Sequence, residues 1–453
     1  MNASLNELPR FGYIDGTPKR INERVVDGQW VQYLGEYAEL VKIQPIEIYK
    51  LFGGTMKQWF SRFPDSLHET SIALGKLCEK HRIKTLYVNM PTVIPYLLMA
   101  RNDASLDLGL LFLAHSVGSE FWLKQWVAIA PLITKRDVLL VSTHSSKEAL
   151  KQISNRYEIA KHIPLSIELP ERYERVISRS AGINLLSIGR LEDVKNIHLL
   201  LEVFAMLKEQ RPNVRLKIAG EYTGSSEEQI NSYQELLNGQ LDKWGLHDSV
   251  EFTGPVSGEA KNQLFRDCDI LINLSTDPGE TFGYILIEAQ AWGMAIICTR
   301  WDGFQEIVND GQDGLFIDCS WDGDVPQIDR EQIIEQCLRL LDDRKKLQAF
   351  SDRAFESVRK FDYRTLFPQI VDATNQSLAY QLPVFDDLVA MLNSEISELK
   401  EYYQLDNLVH ANLAHKKLLT IAGDECGQSL EAWMPLAKPV IHHFAGRGQY
   451  AEL

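Results

Sequence analysis

Two carboxylates, Glu280 and Glu288, stand eight positions apart in the stretch DPGETFGYILIEAQAWG (277–293), on either side of a Phe-Gly pair. Taken alone, Glu280 ends a loop and Glu288 is an ordinary helix residue. Two permanent cations, Arg190 and Lys195, precede them in SIGRLEDVKN, just after a short apolar run. Singly these read as a solvated loop, and Gly220 in IAGEYTGSS and Gly254 in FTGPVSGEAK as plain turn glycines. Together, in order, the four segments each follow an apolar strand and precede a helix. In an open parallel sheet, ligands collect beyond the carboxyl ends of the strands, where these segments lie. A guanidinium and an ammonium facing the free amides of a helix N-terminus form an anion site suited to a diphosphate. Glu280 and Glu288 would then accept hydrogen bonds from hydroxyl groups on either side of that anion. If both were helical they would sit roughly 12 Å apart along the axis and about 80° apart around it, so Glu280 has to reach in from the preceding loop.

The elements that must position these groups are legible in the same region. INLLSIGR (183–190), VRLKIAG (214–220), VEFTG (250–254), DILINLS (269–275) and AIICTR (295–300) are short apolar runs. Between them lie helical patterns at 196–212, 226–244, 258–268 and 282–293, and a last strand and further helices follow to about 360. Strands alternating with helices of this length predict βαβ units and a parallel sheet covered on both faces. Upstream the same grammar is rougher. Helices are expected at 66–83, 92–101 and 119–134 and strands at 84–90, 108–116 and 137–146, the last running into a helix start where Ser145 and Ser146 read as an N-cap. Within the first 65 residues, RVVDGQWVQYLG reads as a hairpin and MKQWFSRF as helical. The fold class is α/β, with two doubly wound Rossmann-like domains and an extra helical C-terminal tail. The expected division is 1–178, with 1–65 atypical, then 179–380 and 381–453.

Composition excludes several classes. The chain has 453 residues, 45% hydrophobic and 24% charged, which is ordinary for a globular protein of two domains. A formal net charge of −15 argues against a nucleic-acid partner and against general adhesion to an anionic bilayer. No apolar run reaches the roughly 18 residues of a membrane span, and MNASLNELPRFG lacks the basic start and apolar stretch of a secretory signal. Cys78, Cys268, Cys298, Cys319, Cys337 and Cys426 are scattered without a Cys-x-x-Cys, as expected of reduced thiols in a cytoplasmic protein without a zinc site.

The order GR-L-x3-K, then A-G, then FTG-x-V, then E-x-FG-x4-E, then G-x2-E-I-V-x-DG-x2-G-L resembles the family-4 retaining glycosyltransferases of the GT-B fold. The similarity is strong over residues 183–360 and weak over 66–170. It implies two Rossmann-like domains facing a cleft, the second binding a nucleotide sugar and the first the acceptor. It gives the donor diphosphate to Arg190 and Lys195, and the sugar to Glu280, Thr281, Phe282 and Gly283. Glu288 takes the ribose hydroxyls, Val256 borders the base, and Gly220 belongs to the donor-binding set. In FLAHSVGSEF, the strand-end His115 resembles the histidine that faces the donor sugar in this family. The chain departs from the pattern twice. Its start shows no clean apolar strand followed by Gly-Gly, LFGG (51–54) being the only doublet, and LSTDPGE has two residues more than usual before the first glutamate.

The implied activity is transfer of a sugar from a UDP- or GDP-linked donor to a hydroxyl acceptor (a sugar, a lipid-linked glycan or another), with retention, in glycan or glycoconjugate biosynthesis. No Asp-x-Asp motif stands in a convincing position, so neither a metal nor another cofactor is expected. The rivals are a non-catalytic GT-B partner of another glycosyltransferase or glycan binder, and a phosphorylase or nucleotide-sugar epimerase on the same fold. The tail after residue 380 has three roles open to it: packing on the first domain, forming a homodimer contact, or covering the cleft.

Overall fold

A computed structural model describes residues 8–388, apart from 15–24, 55, 115–116, 118–125, 127–128, 171–174, 178–181, 278–279, 281, 323–324 and 386–387. The chain forms two units, one comprising the chain up to Pro164 and again from Tyr363, the other Leu165–Asp362.

The first unit is built on six parallel strands: β1 (Arg10–Ile14), β2 (Glu39–Ile43), β3 (Thr85–Tyr87), β4 (Gly109–Ala114), β5 (Val138–Val141) and β6 (Lys161–His162). Their order is β2-β1-β3-β4-β5-β6, the flavodoxin-like winding with one strand added. The start of the chain therefore does supply an interior strand. RFGYI is hard to see in the sequence because its centre is Gly12, where a Cβ would lie 2.6 Å from the Ile83 side chain. The expected hairpin in RVVDGQWVQYLG is instead the helix Val25–Leu34: Trp30, Tyr33 and Leu34, at i, i+3 and i+4, are all buried. MKQWFS is helical as expected. The cap of helix His144–Ile153 is Thr143, whose hydroxyl accepts from the Ser146 amide at 3.1 Å, so the serines lie inside the helix it begins.

The chain returns to the first unit through helix Tyr363–Ser377, which the expected span 179–380 had included with the second domain. Tyr363 stacks on Tyr33 at 3.9 Å between ring centroids, and its hydroxyl donates to Glu36 at 2.9 Å. Phe367 meets Trp30 edge-on at 5.0 Å. Most of 381–453 lies outside the described residues.

The second unit contains β7 (Asn184–Ile188), β8 (Arg215–Ala219), β9 (Val250–Gly254), β10 (Ile270–Asn273), β11 (Ala295–Thr299) and β12 (Gly314–Ile317), all parallel, in the order β12-β11-β10-β7-β8-β9. This is the Rossmann winding, and its direction reverses between β7 and β10. Ile270 and Ile272 of β10 join the core formed with helices Ile197–Gln210, Glu227–Trp244 and Arg330–Leu341, while Leu271, equally buried, takes the other face. In helix Ile197–Gln210, Ile197, Leu200, Leu201, Phe204 and Leu207 supply the apolar stripe. Glu227–Trp244 begins at Ser226, whose hydroxyl caps Gln229 N at 3.2 Å, and stops at left-handed Gly245.

Candidate functional site

The reversal of winding leaves a crevice beyond the carboxyl ends of β7 and β10, because the connections from these neighbours leave in opposite directions. Two loops border it, 189–196 after β7 and 274–283 after β10. Asn196, left-handed at φ 56°, ties them together. Its Nδ2 donates to Leu274 O at 2.8 Å and to Thr276 Oγ1 at 3.0 Å, and Thr276 N donates to Val194 O at 2.9 Å.

On this frame three of the expected residues come together. The Lys195 ammonium donates to Glu280, to Ser275 Oγ at 3.1 Å and to Asp277 Oδ2 at 3.4 Å. Arg190 reaches the same Asp277 oxygen at 2.9 Å and Glu192 at 2.9 Å. Lys195 is nearly enclosed, with 12% of its side chain exposed, whereas Arg190 is 56% exposed. Trp301 Nε1 holds the Asp277 carbonyl at 3.0 Å, and Glu280 N donates to that carbonyl at 2.9 Å, so the loop carrying both acids is pinned from two sides. Two cations thus meet three carboxylates, Glu192, Asp277 and Glu280, that no solvent-exposed loop would need to gather.

Glycine is required at two places. Gly220 has φ +155°, and a Cβ there would fall 1.8 Å from Gly189 O, so β7 and β8 can close only around it. Gly283 has φ +83°, and its Cβ would fall 2.4 Å from the Phe304 ring. Gly283 opens helix Tyr284–Ala291, so the positive end of that helix follows directly from Glu280. Phe282 is buried, edge-on to Phe361 at 5.7 Å. Val256 is half-buried in the turn between β9 and helix Gly258–Asp267.

Glu288 lies on helix Tyr284–Ala291 and pairs with Lys261 of helix Gly258–Asp267, whose ammonium is 2.7 and 2.6 Å from its two oxygens. Burial pushes the Glu288 carboxyl up from its ordinary range, and the Lys261 charge and hydrogen bonds oppose that rise. His115 and Thr281 lie outside the described residues. Sequence reading did not single out Asp277, Ser275, Asn196 or Lys261. Asp277 sat in the extra length of LSTDPGE, and Lys261 in a helix that looked like an ordinary amphipathic one.

Comparison with known proteins bears on the family and the fold. Residues 171–357 match the family model described as glycosyl transferases group 1. The D-inositol 3-phosphate glycosyltransferase of Corynebacterium urealyticum is 26% identical over 53% of this chain and 57% of its own length. The mannosylfructose-phosphate synthase of Agrobacterium fabrum is 28% identical over 42% of this chain and 41% of its own. The chain thus spans about half the length of these curated relatives. Among solved structures, Anabaena HepE in complex with UDP-glucose superposes with a TM-score of 0.58 at 17% identity, covering 81% of this chain and 99% of that one. Sucrose-phosphate synthase from Thermosynechococcus elongatus gives 0.59 at 17% identity over 82% and 99%. These likenesses establish the GT-B fold.

Proposed function

Because the chain belongs to the group 1 glycosyl transferases, the retaining family-4 enzymes of the GT-B fold, we propose that it transfers a sugar from a UDP- or GDP-linked donor to a hydroxyl acceptor in glycan or glycoconjugate biosynthesis. The observation that carries this reading is the gathering of Arg190, Lys195 and Glu280 at the winding reversal, beside the N-terminus of helix Tyr284–Ala291. The UDP-glucose in the HepE complex, and the inositol 3-phosphate and mannosylfructose phosphate in the relatives' names, favour a sugar-transfer reading.

In this reading the donor diphosphate lies against Arg190, Lys195 and the first amides of that helix. The acceptor oxygen bonds to the anomeric carbon on the face from which the nucleotide leaves. As the bond from that carbon to the diphosphate breaks, its electron pair passes to the β-phosphate oxygen, and the acceptor proton moves to a phosphate oxygen. Fixed cations and amides aimed at the departing charge lower the barrier by electrostatic preorganisation, without a metal. Glu280 accepts from the sugar hydroxyls with Thr281, Phe282 and Gly283 beside it, Glu288 accepts from the ribose, and Gly220 and Val256 shape the donor and base side. The family resemblance also gives His115 a role at the sugar. No helix among the described residues is long and apolar enough to cross a membrane.

The decisive measurement is thermal stabilisation and slow donor hydrolysis across a panel of nucleotide sugars. Stabilisation by UDP or GDP that disappears in Lys195→Ala is expected. If no nucleotide moves the melting temperature, the non-catalytic partner reading replaces this one.

A further inference from the structure

The Lys261–Glu288 pair is built with more care than an incidental ion pair. Its two helices are tied to each other at their carboxyl ends by one buried guanidinium. Arg175 Nε donates to Trp292 O at 3.1 Å, just past helix Tyr284–Ala291, and its terminal nitrogens donate to Phe265 O and Cys268 O at the end of helix Gly258–Asp267. Arg266 adds a second tie, its guanidinium 5.0 Å from the centre of the Trp292 ring. The register between the helices is therefore fixed, and with it the approach of Lys261 to Glu288.

We propose that Lys261 is a positioning residue that holds Glu288 as an ionised, two-oxygen acceptor for the adjacent hydroxyls of the donor ribose, and so sets the preference for ribonucleotides over deoxyribonucleotides. This rests on the nucleotide-sugar reading of the site. A carboxylate offers about four lone-pair directions. At 2.7 and 2.6 Å, Lys261 uses one on each oxygen, which leaves one on each for a pair of neighbouring hydroxyls. That arrangement needs both oxygens unprotonated. The Glu288 side chain is only 22% exposed, and burial favours its neutral form. An apolar residue at 261 would leave the acid to take up a proton, and one of its two accepting oxygens would become a donor.

The test compares dissociation constants of UDP with 2′-deoxy-UDP, and of GDP with 2′-deoxy-GDP, by calorimetry. The proteins are the full chain, Lys261→Met, Lys261→Gln and Lys261→Arg. Lys261→Met should weaken the ribonucleotide about tenfold while the deoxynucleotide changes by less than about twofold. Lys261→Arg, which keeps the cation, should retain most of the ribose preference. Equal weakening of both nucleotides, or an undiminished preference, would overturn the proposal, because a merely structural lysine cannot select between sugars. Should Lys261→Met fail to fold, Lys261→Gln decides by the same ratio. If neither UDP nor GDP binds the unmodified chain, the nucleotide-sugar reading falls instead, and that outcome is distinct from a lost ribose preference.

Discussion

One oxygen of Asp277 is shared by Arg190, at 2.9 Å, and Lys195, at 3.4 Å. The carboxylate stands where a diphosphate would have to enter, between the two cations proposed to hold it. A bound donor must displace it or lie beside it against like charge. Asp277→Asn should therefore tighten UDP or GDP binding by about three- to tenfold, the scale of one partly exposed charge contact. Weaker binding in this variant would mean that Asp277 helps to build the site rather than competing for it.

Lys195 and Arg190 should differ in weight. Lys195 is nearly enclosed, so its charge acts in a medium less screened than that around Arg190. Lys195→Ala is expected to weaken nucleoside diphosphate binding by about 10- to 100-fold, and Arg190→Ala by about threefold to tenfold. Calorimetric titration in low and high salt checks both, with the Arg190 effect the more salt-sensitive.

Glu280→Ala should separate binding from chemistry. Its proposed partners are sugar hydroxyls, so transfer should fall by about 10²- to 10³-fold while the affinity for the free nucleotide stays within about threefold. Equal loss of both would contradict the role given to it here.

Gly283→Ala should destabilise the second unit. The backbone is left-handed at φ +83° and the new methyl would press on Phe304 at 2.4 Å. Conformational strain of about 1–2 kcal/mol and overpacking of about 1–3 kcal/mol add to a marked fall in melting temperature. Pairing the change with Phe304→Leu should return part of that loss, since it removes the clash and leaves the strain. A melting curve unmoved by Gly283→Ala would show that neither effect operates.

An acid-dependent contribution is expected in the first unit. Glu47 accepts from Lys80 at 2.6 Å, from the Gln44 amide at 3.1 Å and from His81 at 3.2 Å. Lys80 first, then the Gln44 amide and His81, hold its carboxyl down at about 2, from an ordinary 4.5, against the opposing effect of burial. A carboxyl depressed on folding stabilises the protein above its unfolded value and ceases to do so as pH falls through its folded value. Glu47→Gln should therefore cost about 1–2 kcal/mol at pH 7, with the difference from the unmodified chain shrinking below about pH 4.5 and gone near pH 2. Denaturant titrations at several pH values measure it.

The second unit was legible because each strand is a dense apolar run and each following helix repeats at its own period, as in NLLSI and IHLLLEVFAMLKEQ. The first unit was less so. RFGYI and ELVKI carry a glycine and charged residues inside strands that the sheet nonetheless pairs along their whole length. The helix at Val25–Leu34 holds Trp, Tyr and three valines, residues at home in strands, and it is the burial of Trp30 and Tyr33 that decides its form.

By itself, the sequence determined the kind of layered sheet and the residues that stand at its strand ends, since both follow from periodicity and from the types of side chain in short loops. Only the tertiary structure decided which of those residues meet. Lys195 and Glu280 are 85 positions apart and Lys261 and Glu288 are 27 apart, and no local pattern encodes either pairing. They depend on β10 lying beside β7, and on Arg175 closing two helix ends at once, both of which are matters of strand order and packing. The same holds for helix Tyr363–Ser377, whose sequence shows a helix but not that Tyr363 finds its stacking partner in Tyr33, more than three hundred residues earlier.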